Sequence, residues 1–155
     1  MRERIQTAMK EAMKAGNKRR LSTLRLVTAA IKDRDIAARV DDKGQSTGKE
    51  RVEDSDILAL LQKMIKQRRE SVEIYTQGGR EELAEQEAAE IAIIEEFLPQ
   101  QMGEDAIRQA AQGIVAELGA SGLKDMGRVM SALKERYTGQ MDFSKASAMV
   151  KEALK

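Results

Sequence analysis

The sequence predicts an all-α protein, and three observations carry that prediction. Apolar residues recur at i, i+3 and i+4 through most of the chain, the period of a helix with one buried face. No stretch alternates apolar and polar residues as a half-buried strand would. Breakers are scarce as well: one proline, Pro99, serves 155 residues rich in Ala, Leu, Glu, Lys and Arg. The core must be aliphatic, because the chain has two Phe, two Tyr and no Trp against nine Met.

The first helix is predicted over 2–15, where Ile5, Ala8, Met9, Ala12 and Met13 share a face, and Gly16-Asn17 ends it. The second runs over 18–39 with Leu21, Leu24, Val27, Thr28 and Ile31. The segment VDDKGQSTGKERVED (40–54) is polar, contains two glycines and has no period, so it reads as a mobile loop. Asp54 or Ser55 is placed to cap a third helix, 56–77, whose face holds Ile57, Leu61, Met64, Ile65, Val72 and Tyr75. Gly78-Gly79 stops it, and a fourth helix, 80–98, carries Leu83, Ile91, Ile94, Phe97 and Leu98.

Pro99 then marks a boundary, giving predicted domains 1–98 and 99–155. The second domain holds three helices. Ile107, Ala111, Ile114, Val115 and Leu118 define 104–118, which Gly103 caps weakly. Met126, Val129, Met130, Leu133 and Tyr137 define 125–138. Asp142 caps 143–154, where Phe143, Ala146, Met149, Val150 and Leu154 face inward. Three short helices make a marginal core. Met9, Met13, Met64, Met130 and Met149 fall at core spacing and read as adaptable filler; a Met-lined partner groove is the alternative.

There is no Cys and no His. That excludes disulfides, thiolate nucleophiles, imidazole bases and Cys/His metal sites, and no metal or cofactor is expected. Missing cysteine fits a reducing compartment, and the opening MRERIQTAMKEAMK lacks the apolar run of a signal peptide, so the cytoplasm is expected. The longest apolar run is ILALL (57–61), too short to span a membrane.

Net charge is +1 but unevenly placed. Residues 1–40 carry +7, 41–70 are neutral, 71–107 carry −9 and 108–155 carry +3. Such polarity permits contact with an anion such as RNA, or complementary charge between neighbouring helices. Lys18, Arg25, Lys32 and Arg39 repeat every seven residues, drifting only about 20° per step around the helix. They form a stripe beside Leu21 and Thr28, either as snorkelling stems or as a strip that tracks phosphates or meets a partner. Without interleaved aromatics the stripe is not a base-stacking platform.

Arg68 projects onto the middle of the apolar arc of its helix, at about 100° per residue. A charge there demands a partner. Glu87 and Glu90 project onto the apolar arc of the next helix. Arg68 lies about ten residues before Gly78-Gly79, and the two glutamates about nine and eleven after it, so a hairpin brings them level. An Arg68 ion pair with Glu87, Glu90 or both is predicted, setting helix register rather than performing acid–base chemistry.

In DMGRVM (125–130) a glycine stands in the first turn of a helix, at a cost of about 1 kcal/mol against alanine. Either another element packs closely on Gly127, or a ligand such as a phosphate approaches the free N–H groups there, with Lys124 and Arg128 beside it.

The chain resembles the YqeY family, related to the C-terminal tail domain of GatB, a subunit of the glutamine-dependent aminoacyl-tRNA amidotransferase. KRRLSTLRLVTAAIK (18–32), LLQKMIKQRRESVEIY (60–75), GREELAEQEAAEIAIIEEFLPQQM (79–102) and DMGRVMSALKERYTGQMDFSKASAMVKEAL (125–154) carry the resemblance, the last being the most specific. It implies a helical N-terminal domain and a three-helix tail that, in GatB-like proteins, engages tRNA. The matching motif positions are Met126, Gly127, Arg128 and Met130; Lys124, Lys134 and Arg136 join them on charge grounds.

Families of this kind carry the label of carbon–nitrogen ligase with glutamine as amido-N-donor. That chemistry needs a nucleophile to release ammonia and a site to activate the acyl group. This chain has no cysteine, no Gly-rich amidase-type serine stretch and no P-loop. The leading expectation is therefore a non-catalytic, tRNA-associated helical module. Its rivals are a protein–protein adaptor whose basic second helix meets an acidic partner, and an accessory component of an amidotransferase.

Overall fold

The computed structural model describes residues 1–155 and contains seven α-helices and no strand. Two compact units divide the chain, Met1–Leu98 and Pro99–Lys155.

The first unit holds α1 (Arg2–Ala15), α2 (Lys18–Ala38), α3 (Asp54–Gln77) and α4 (Glu81–Glu95). α1 ends because Gly16 enters the left-handed region at φ 70°, and Asn17 starts α2 by accepting from the Arg20 amide. Gly79, at φ 73°, turns α3 back onto α4. α3 and α4 pack as a hairpin, and α2 lies against both, with α1 packed on α2. Leu24, Val27, Ile57, Leu61 and Ile94 are fully enclosed and form the centre of the core with Ile5, Met64 and Phe97. Each such side chain contributes about 1.5–3 kcal/mol of burial. At the end of α4, Arg20 pairs with Glu96, and Arg4 donates to the Glu96 carbonyl at 3.3 Å while lying over the Phe97 ring.

Several local expectations change. Met13 is not core filler: it is 59% exposed, because Ile5, Ala8 and Ala12 already complete the buried face of α1. The cap of α3 is Glu53, in a reciprocal capping box with Asp56, rather than Asp54 or Ser55. The loop between α2 and α3 is a hydrogen-bonded turn. Asp41 Oδ1 accepts from the Lys43 and Gln45 amides at 2.9 Å each, and Val40 bridges Ser46.

A buried charge pair then holds the end of that loop. Asp35, 8% exposed, accepts two bonds from Arg2 at 2.6 and 2.8 Å. Asp35 also accepts from the Val52 amide at 2.8 Å, while Arg2 donates to the Val52 carbonyl at 3.1 Å. Both backbone groups of Val52 are thus clamped by one ion pair.

The second unit holds α5 (Glu104–Leu118), a 3₁₀ turn (Leu123–Asp125), α6 (Met126–Arg136) and α7 (Phe143–Ala153). Its core is Ile107, Ala111, Ile114, Val129, Leu133, Met141, Ala146, Val150 and Leu154. Gly119, at φ 61°, ends α5, and Asp142 caps α7 by accepting from the Ser144 and Lys145 amides. The start of the unit is tied to the α6–α7 turn: the Met102 amide donates to Gln140 O at 2.8 Å, and Gln101 Nε2 donates to Gly139 O.

Candidate functional site

Three charged clusters were predicted, and the structure treats them differently. Lys18, Arg25 and Lys32 all stand exposed on α2 without an ion pair. Arg39 follows the helix and donates to the Glu50 carbonyl at 3.4 Å. The stripe therefore lies in water, with its charges uncommitted. Beside it, Leu26 and Ile36 are 47% and 49% exposed, so this face of α2 mixes free cations with uncovered apolar side chains.

In the second unit the predicted residues separate into two groups. Arg136 forms a bidentate pair with Glu117, both bonds 2.7 Å, and that hydrogen bonding holds the Glu117 carboxyl below its usual range. Arg128 reaches back to Asp125 at 3.4 Å and to the Leu118 carbonyl at 3.3 Å. Both arginines are already engaged. Lys124, in the 3₁₀ turn, and Lys134, in the last turn of α6, are exposed and have no side-chain partner. Met126 and Met130 are partly buried and pack against the core, so within the motif they are structural.

Gly127 decides between its two readings on one side. It is exposed, and a Cβ built there meets nothing within 4 Å. Close packing of a neighbouring helix is therefore not its reason, because α5 and α7 contact α6 elsewhere. Ser131 and Lys134 lie four and seven residues on and share its exposed face. The face is thus small residues leading to a free lysine.

The third cluster links α3 and α4. Arg68 Nε lies 3.0 Å from Glu90 and 3.9 Å from Glu87, with 15% of the arginine side chain exposed. Arg68 also donates to the Met64 carbonyl. One cation thus faces two carboxyls. Burial, then repulsion from Glu90, pushes the Glu87 carboxyl above its usual range, while Arg68 pulls the other way. The group is an ion cluster that links α3 to α4 within the hairpin.

Sequence reasoning missed the Arg2–Asp35 pair. A signal was present: Asp35 follows Ile31 by four residues and Leu24 by eleven, on the buried face of α2. It is the same wrong-face argument that found Arg68. No group of three or more His, Cys, Asp or Glu side chains is placed to hold a metal, and no helix is long and apolar enough to cross a membrane.

Fold and surfaces together define an all-α protein of a four-helix unit and a three-helix unit, with charged helix faces as its conspicuous surface. The chain belongs to the Yqey-like protein family, whose model matches residues 2–154. A curated relative is the "Altered inheritance of mitochondria protein 41, mitochondrial" of Pyrenophora tritici-repentis (strain Pt-1C-BFP). It is 30% identical over 139 residues, which cover 86% of this chain and 71% of the relative.

Proposed function

We propose that this protein is a non-catalytic, tRNA-associated helical module that holds RNA by its phosphates. The observation that supports this reading is the α2 stripe: Lys18, Arg25 and Lys32 are exposed, regularly spaced and free of acidic partners. Uncommitted cations release counterions from phosphates without first breaking an internal pair. Lys124 and Lys134, with the open backbone at Gly127, give the tail unit its own smaller phosphate-binding face. Arg128 and Arg136 contribute less, because Asp125 and Glu117 compete for them. Pro99–Lys155 corresponds in this reading to the GatB-like tail, and any role in amidotransfer is that of an accessory to a separate catalytic subunit. The proposed compartment is the cytoplasm; the relative's name assigns that protein to mitochondria.

The test is binding of the full chain to total tRNA across a salt series. Affinity should fall steeply as salt rises. Lys18→Glu/Arg25→Glu/Lys32→Glu should weaken binding more than Lys124→Glu/Lys134→Glu. Absence of binding at low salt would refute the RNA reading. It would turn attention to a protein partner for the same face, which exposed Leu26 and Ile36 favour.

A further inference from the structure

A separate cleft of about 600 Å³ opens in the first unit between the C-terminal half of α2, the end of the α2–α3 loop and the first turns of α3. Four cations line it: Arg34, Lys49, Arg51 and Lys63. None of them forms a salt bridge. Two acids also line it, Glu53 and Asp56. Those two are occupied by the capping box of α3, each accepting from the other's backbone amide. Both carboxylates keep their charge, so four cations against two acids leave the lining with a formal excess of two positive charges, and Arg51 also acts on Asp35.

The cleft also has an apolar floor. Ala37 and Ala38 of α2 and Ala59 and Leu60 of α3 supply it. Three alanines stand where larger side chains would fill the space. Its loop wall is held rather than loose, because the Arg2–Asp35 pair clamps both backbone groups of Val52, between Arg51 and Glu53. The cleft is open to solvent, with its four cations exposed around it, and a concavity of this size can take a compact ligand.

We infer that this cleft binds a small organic oligophosphate of the nucleoside triphosphate class, its phosphates on the four cations and its uncharged part over the alanine floor. The excess of positive charge favours an anion, and a compact ligand matches the volume. This inference does not rest on RNA binding. Arg34 stands about 200° around α2 from Lys32, so cleft and stripe lie on different faces of the helix.

The experiment is calorimetric titration of the full chain with ATP, inorganic tripolyphosphate and total tRNA at low and moderate salt. Saturable ATP binding that weakens with salt is expected. Arg34→Glu/Lys63→Glu should lose about tenfold or more in affinity. Circular dichroism should show these exposed changes leaving the fold intact. Lys18→Glu/Arg25→Glu/Lys32→Glu should leave ATP binding unchanged, which separates this site from the RNA face. Ala59→Leu fills the floor and should weaken ATP while sparing tripolyphosphate. The inference is overturned if ATP shows no saturable binding at low salt. It is equally overturned if Arg34→Glu/Lys63→Glu changes nothing, if Ala59→Leu affects neither probe, or if the cleft variant loses tRNA binding alone.

Discussion

Gly127 is the residue at which sequence and structure part most sharply. A glycine inside a helix invites a packing explanation, and the open space above it removes that explanation. Gly127→Ala should therefore stabilise the protein by about 0.5–1 kcal/mol, through helix propensity and a less flexible unfolded chain. Thermal denaturation checks this: a lowered melting temperature would restore the packing reading, and a raised one with weakened tRNA binding would mean that the bare backbone serves a ligand. Glu87 gives a second prediction. Its carboxyl is held above the usual value of about 4.3, so the folded state binds its proton more tightly than the unfolded state. The stability linked to that proton is complete below about pH 4 and declines as pH rises through the raised value. Glu87→Gln should thus melt higher than the parent at pH 7, with the gap closing at acid pH. Glu90→Gln, which weakens the 3.0 Å contact to Arg68, should melt lower.

At the scale of elements, a charge on an apolar arc was the most informative sequence signal. It found Arg68 and its two partners because a glycine pair made the hairpin register countable. The same signal lay at Asp35, but its partner Arg2 sits 33 positions away on another helix, where no turn supplies a register. The α2–α3 loop was illegible for a related reason. Its order comes from Asp41 side-chain bonds and from the clamp on Val52, neither of which has a period. Met141 is fully buried yet lies in the α6–α7 turn, outside any helical pattern. The α2–α3 cleft went unseen because three segments make it, and the alanines of α2 and α3 matter only once the fold brings them to one cleft. Asp35→Asn should cost about 2–3 kcal/mol, since it replaces charge-assisted bonds to Arg2. Arg2 holds the Asp35 carboxyl below its usual range, so this contribution is present above about pH 4 and lost as pH falls through the lowered value. The variant's stability should accordingly fall less on acidification. Hydrogen exchange at the Val52 amide should quicken above about pH 4, with the difference from the parent closing at lower pH.

At the scale of the whole molecule, two cores of unequal size divide the chain. The helices of the first unit run to 24 residues, whereas α6 and α7 have 11 each. Short helices bury little area per residue ordered, so the second unit should be the weaker. If the units are independent domains, a cavity in one core should leave the other standing. Leu133 is fully buried at the centre of the second core, and Leu133→Ala should cost about 2–5 kcal/mol there. Against a marginal unit that loss approaches its entire stability. Hydrogen exchange on the full-length variant should then show protection collapsing across α5, α6 and α7, while Leu24, Val27, Ile57 and Leu61 keep parental rates. Leu61→Ala, the matching change in the larger core, should leave α6 at parental rates and raise exchange only in α1 to α4. Uniform loss of protection in both variants would instead make the chain one cooperative unit, joined through more than the Pro99 boundary.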